Sequence, residues 1–169
     1  MTRLMHYSRE PFTFDPSREY EPHPAGVFTK PSGFWVSATG EDDWPAFCRE
    51  NMPRGRVAHA YEVKIADSAN ILTLRTPEEL DEFTESFGFV GEFEARMGAR
   101  WPHTRPSRSI DWQVVASKYD GILIPIYQWS RRNELDWYYT WDCASGCIWN
   151  LEALSLTEVA APIMDGATA

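Results

Sequence analysis

The stretch GFWVSATGEDDWPAFCREN, Gly33 to Asn51, constrains the fold more than any other part of this chain. Gly33 to Thr39 is short and apolar, the pattern of a strand, and it runs straight into a helix. Asp42 or Asp43 can accept from the free N–H groups at the helix start, Pro45 suits the first turn, and Trp44, Phe47 and Cys48 fall at helical spacing on one face. Met52 and Pro53 stop it. Two distant segments read as companions: LMHYS, in a strand from Arg3 to Ser8 that Pro11 ends, and WDCASGCIWN, Trp141 to Asn150. Together the three suggest strands converging on one cleft.

The remaining elements follow from local signals. Pro16, Pro22, Pro24 and Pro31 exclude helix interior and central strand up to Ser32 and leave an extended loop. Val57 to Ile65 alternates as a half-buried strand does, and Asn70 to Arg75 reads as another after a turn at Asp67 and Ser68. The clearest helix starts at Thr76: Thr76 caps, Pro77 takes the first helical position, Glu79 completes a capping box, Leu80, Phe83 and Phe87 form the buried face, and Gly88 stops it. Gly98, Pro102 and Pro106 make Gly91 to Ser107 read as an irregular surface loop. Ser109 is placed to cap a helix through Ile110 to Tyr119, and Asp120 and Gly121 then turn the chain into the strand ILIPIY, which Pro125 marks as edge or bulged. DWYYTWD and GCIWNLEALSL read as further strands with a turn at Ala144, Ser145 and Gly146, and the tail over about 162–169 reads as frayed. Strands mixed with a few non-alternating helices predict a single α+β domain over 1–169.

Charge and cysteines narrow the function classes. A net charge of −9 repels phosphate backbones, so non-specific nucleic-acid binding is not the expected role. Arg96, Arg100, Arg105, Arg108 and Lys118 form the one extended basic stretch, whose plain reading is a solvated loop. Cys48, Cys143 and Cys147 are an odd number without the spacing of secreted staples, which predicts free thiols in a reducing, cytoplasmic setting. Cys143 and Cys147 lack the further ligands of a zinc set, so no metal is expected. No apolar run reaches the roughly 20 residues that span a bilayer, and MTRLMHYSREP lacks a signal-peptide core, so no membrane role is expected. Neither a P-loop nor GxGxxG occurs, and no local signature makes Cys48 or Cys147 a nucleophile.

Strand with a polar residue, strand with an aromatic and a hydroxyl, helix, hairpin, helix and late strand: this order, over about Arg3 to Leu156, resembles the ADP-ribosyltransferase-like superfamily, in particular its bacterial and phage mono-ADP-ribosyltransferases. The resemblance implies a split mixed or antiparallel sheet with flanking helices, NAD as substrate, and a macromolecular acceptor, protein sooner than nucleic acid. It implies that a first-strand His or Arg anchors the NAD ribose and nicotinamide side, which falls on His6 of LMHYS, with Arg3 second. A second strand of the kind GIYFA or FxSTS sets an aromatic or a Ser against the nicotinamide; GFWVSAT offers Trp35 there, with Ser37 and Thr39 as hydroxyls. A stacking aromatic on the next helix falls on Phe47, then Trp44. The family's late-strand carboxylate is matched by SGCIWN, where Ser145 stands instead. Asp142 is the nearby substitute, with Glu134 and Asp136 as outliers.

Breaking the nicotinamide–ribose bond passes through an oxocarbenium-like state, and a fixed carboxylate beside the ribose stabilises charge that develops only there. His6, Ser37 and Asp142 are therefore the candidate catalytic residues, and His6, Trp35, Trp44 and Phe47 the candidate NAD contacts. Asp142 sits between Trp141 and Cys143, where an acid must find partners or a cleft. Each residue also has a plainer reading: a half-buried strand histidine, core aromatics, a strand-end hydroxyl. The aromatic band Tyr127, Trp129, Trp137, Tyr138, Tyr139, Trp141 and Trp149 reads as core sooner than as a base-stacking platform, with Arg131 and Arg132 beside Trp129 as the local exception. Ser145 in place of the acid supports an alternative: a non-catalytic member of the same fold that binds a protein partner through its acidic surface.

Overall fold

The structure, a computed structural model, describes residues 2–21, 29–52, 55–100 and 107–163. In chain order its elements are β1 (Leu4–Ser8), β2 (Phe34–Ala38), α1 (Trp44–Asn51), β3 (His59–Ile65), β4 (Ile71–Thr73), α2 (Pro77–Phe87), β5 (Gly88–Phe89), α3 (Glu92–Arg100), β6 (Ser109–Ile110), α4 (Trp112–Ala116), β7 (Gly121–Ile124), α5 (Asp136–Tyr139), β8 (Ser145–Ile148) and β9 (Leu154–Val159). Among the described residues, seven strands form one sheet in the order β4-β7-β8-β2-β1-β3-β9, while β5 and β6 pair apart. The β4–β7 pair is parallel and the other pairs of the large sheet are antiparallel, so the fold is α+β with a mixed sheet.

Strand alternation divides the apolar residues between two cores. Ile122, Ile124 and Cys147 face the helices, where Leu80, Phe83, Trp112, Val115, Trp137, Tyr138 and Trp141 complete an aromatic-rich cluster. Their sequence neighbours Leu123 and Ile148 turn to the other side, joining Phe34, Val36, Val63, Leu151 and Leu154. Phe12, Phe14 and Tyr20, from the segment after β1, cover that second core. Pro22 and Pro24, counted in the same loop by sequence, lie outside the described residues. Gly146 holds the centre of β8 because a Cβ there would stand 2.7 Å from the Ile122 carbonyl oxygen of β7.

The two helices with the strongest start signals form as read. Asp43 accepts from the Ala46 N–H at 2.9 Å and caps α1. Thr76 and Glu79 make the reciprocal capping box of α2, whose Leu80 and Phe83 are buried. Gly88 ends α2 with ordinary extended dihedrals, φ −86° and ψ 141°, so it acts there without using left-handed backbone.

Five expectations are corrected. DWYYTWD is not a strand: α5 is a single helical turn in which the neighbours Trp137 and Tyr138 are both buried. A strand would have sent them to opposite faces, so packing overrides the β preference of the aromatics. Gly91 to Ser107 is not wholly irregular, because α3 occupies Glu92–Arg100, with Glu92 and Glu94 in its first turn and Arg100 in its last, as the helix dipole favours. Pro102, Arg105 and Pro106 lie outside the described residues, as does the end of the tail from 164. Ser109 does not cap a helix; it pairs with Phe89 in the small sheet, and the Asp111 carboxylate accepts from the Gln113 and Val114 N–H groups at 3.1 Å to start α4. Finally, β7 is neither edge nor bulged: it lies between β4 and β8 and ends at Ile124, so Pro125 stops the strand instead of weakening it. The turn expected at Ala144 to Gly146 is likewise absent, since β8 begins at Ser145.

The feature that positions the site is a parting of the sheet. The β1–β2 ladder contains two registered pairs, Leu4 with Ala38 and Met5 with Ser37. Continuing that register would set Tyr7 against Trp35, but the strands diverge. β1 stays with β3 through Ser8, and β2 stays with β8 from Ser37 back to Phe34. The sheet is split between its central strand, β2, and the neighbouring β1.

Candidate functional site

A cavity of about 420 Å³ occupies the split. Its walls include Met5 to Arg9 of β1 and the turn after it, Trp35 to Ser37 of β2, Trp44 at the start of α1, and Asp142, Cys143 and Ser145 at the entry to β8. His6, Trp35, Ser37, Trp44 and Asp142, drawn from three separated stretches of sequence, therefore border one hollow. Phe47 does not line it; its ring stacks on Trp44 with centroids 5.4 Å apart, so Trp44 is the cavity-facing member of that pair. Arg3, Glu134 and Asp136 are not among the lining residues, and Glu134 is taken by Arg131 at 3.1 Å.

Register places the His6 side chain on the face opposite Trp35 and Ser37, and the divergence of β1 from β2 is what lets both reach the opening. His6 stacks on Phe34 at 4.2 Å and meets Phe12 edge-on at 5.1 Å. Its Nδ1 lies 2.8 Å from the Trp35 carbonyl oxygen. A carbonyl only accepts, so Nδ1 carries the hydrogen, and Nε2 of the neutral ring keeps its lone pair as an acceptor. Burial among these rings holds the His6 pKa below its ordinary 6.5, outweighing the Trp35 carbonyl, which favours the charged ring. Well above pH 6.5 this ring contributes no pH dependence. As pH falls below 6.5 the unfolded chain takes up a proton that the folded chain does not, so stability declines until the folded pKa is passed. Urea titrations between pH 7.5 and 5 are expected to show that decline in the wild type and a shallower one in His6→Gln, which keeps a donor but does not titrate; identical slopes would refute the assignment.

The Ser37 hydroxyl accepts from the Trp44 N–H at 2.9 Å, fixing the entry of α1 to the end of β2. Ser145, which pairs with Ser37 across β2 and β8, turns its hydroxyl back to the Cys143 carbonyl at 2.9 Å. Asp142 has both things its position demanded, an opening and a partner: its Oδ2 is 3.2 Å from Lys30 Nζ. Tyr7 is held protonated by burial, its pKa pushed up to about 12, with Asp43 adding to the effect. Burial likewise raises Cys48 to about 11, Cys143 to about 12 and Cys147 well above its ordinary value, so each is a thiol at neutral pH and a poor nucleophile.

Lys30, Arg9 and Arg56 also line the cavity and were not singled out from sequence. They lie outside the three strands, and only the adjacency of Lys30 to the strand in TKPSGFW hinted at a role. Among the described residues, neither Arg9 nor Arg56 has a carboxylate partner. Three cations against one carboxylate make this wall positive on a chain of net charge −9. The cavity suits a ligand with anionic groups, aromatic rings and hydroxyls.

No protein-family model, curated protein or solved structure matches this chain. Among the described residues no group of His, Cys, Asp and Glu is placed to hold a metal ion, and no helix is long and apolar enough to cross a membrane.

Proposed function

We propose that the chain is an NAD-consuming mono-ADP-ribosyltransferase acting on a macromolecular acceptor in the cytoplasm. The observation that carries this reading is the meeting of His6, Trp35 and the Asp142 carboxylate around a single cavity in the split of the sheet. Its size lies within the range of about 300–1,000 Å³ common for small-molecule sites. In this reading Arg9 and Arg56 receive the diphosphate, Trp35 and Trp44 flank the nicotinamide end, and His6 Nε2 accepts from a ribose hydroxyl. Asp142 steadies the ribosyl cation as the C–N bond breaks and nicotinamide leaves, neutral, with the bonding electron pair. An acceptor nucleophile then bonds to the anomeric carbon and gives up its proton. The free, buried thiols of Cys48, Cys143 and Cys147 support a reducing compartment.

Ser145 favours a second reading. With its hydroxyl bound to Cys143 and no acid in its place, the chain is a binding module that keeps the cavity but acts on a protein partner through its acidic surface. Purified protein incubated with NAD labelled on the adenylate, with and without lysate, separates the two. Nicotinamide release together with label on macromolecules is the expected result; release without label makes the chain an NAD hydrolase, and background signals in both channels favour the binding module.

A further inference from the structure

Lys30 is held in an unusual way. The residues on either side of it are tethered by their backbone: the Thr29 carbonyl accepts from Trp112 Nε1 at 2.8 Å, and the Pro31 carbonyl from the Cys147 thiol at 3.6 Å. Between these fixed points the Lys30 side chain reaches into the cavity, where Nζ lies 3.2 Å from Asp142 Oδ2 and 5.3 Å from the centre of the Trp35 ring. It also lines an adjoining hollow with Tyr20, Gly33 and Thr140, so the ammonium has open space to swing into. An aromatic face beside a carboxylate is a receptor for a cation. Here that receptor is filled by the protein's own lysine.

Resting on the nucleotide reading above, we infer that the Lys30 ammonium is a built-in stand-in for the cationic nicotinamide ring, holding the Trp35–Asp142 subsite until the oxidised dinucleotide displaces it. The backbone need not move, because the flexible four-carbon stem carries the ammonium out and back. The subsite then discriminates by charge: the oxidised ring replaces one cation by another beside Asp142, whereas the reduced, neutral ring cannot take the ammonium's place, so that ring stays outside the subsite and Lys30 keeps it. A phosphate-gripping role for Lys30 is disfavoured by its partners, one carboxylate and one ring face, and by the presence of Arg9 and Arg56, which have no described carboxylate to hold.

The test is calorimetric binding of NAD and of NADH to wild type and Lys30→Met, which keeps the length of the stem and removes the charge. The expected result is about fivefold tighter NAD binding in the variant, the size of a part-exposed ion pair no longer competing, with NADH affinity unchanged. A parallel measurement on the wild type needs no variant: brief acylation followed by mass spectrometry should find Lys30 more reactive when NAD is bound. Weaker NAD binding by Lys30→Met, equal changes for NAD and NADH, or protection of Lys30 by NAD would each overturn the stand-in while leaving the nucleotide site intact. A wild-type chain that binds neither form would overturn the nucleotide reading and the stand-in with it.

Discussion

Asp142→Asn is expected to slow nicotinamide release by about 10²–10³-fold while changing NAD affinity by no more than about threefold. The substitution preserves the shape and hydrogen-bonding reach of the side chain and removes the charge. A charge that develops on the ribose only as the C–N bond breaks is felt in the rate and hardly in ground-state binding. Asp142 is the one carboxylate among the described lining residues, so no neighbour is placed to substitute for it. Single-turnover nicotinamide release, read beside equilibrium binding, separates the two effects. A variant as fast as the wild type would remove Asp142 from the chemistry, and a variant that loses binding and rate together would make it an anchor only.

Trp137→Ala should destabilise the fold by about 3–5 kcal/mol, the usual range for deleting a buried aromatic. Its indole is 1% exposed, meets Phe83 at 5.1 Å and Trp112 at 6.0 Å, and donates to the Thr84 hydroxyl at 2.8 Å. Truncation opens a void at the junction of α2, α4 and α5 and removes the donor to the buried Thr84 hydroxyl, which keeps only its own bond to the Leu80 carbonyl. Against a total stability of about 5–15 kcal/mol, that is a large fraction. Trp129→Ala is the internal comparison: Trp129 is 61% exposed, and its contact with Asp42 at 3.1 Å is at the surface, so its loss should cost under about 1 kcal/mol. Denaturant midpoints for the two variants would decide the matter, and similar costs would contradict the division of the aromatic band into buried and exposed members.

That division was only partly legible in the sequence. Trp137, Tyr138 and Trp141 are core, as their composition suggested, but their helical turn was hidden because aromatics favour strands and four residues are too few to display a period. Where the signal is chemical and local, it was readable: the Thr76–Glu79 box, the Asp43 cap, and the strands around His6 and Trp35 stand where the residues place them. The interior position of β7 depends on its partner β4, fifty residues earlier, and nothing in ILIPIY announces that pairing. The candidate site divides in the same way. His6, Trp35, Ser37, Trp44 and Asp142 sit in or beside strands with recognisable patterns, whereas Lys30, Arg9 and Arg56 enter from loops, which carry no periodic signal.

A sheet that opens in its middle has two raw margins inside the protein, and a raw margin is where a foreign segment can zip on and start aggregation. On the β2 margin the Trp35 carbonyl is the group such an intruder would need, and the imidazole of His6 already holds it. One ring thus forms the lip of the cavity and occupies the backbone group that an intruding strand would need. Mutants chosen to empty this cavity should therefore be watched for clumping as well as for lost chemistry.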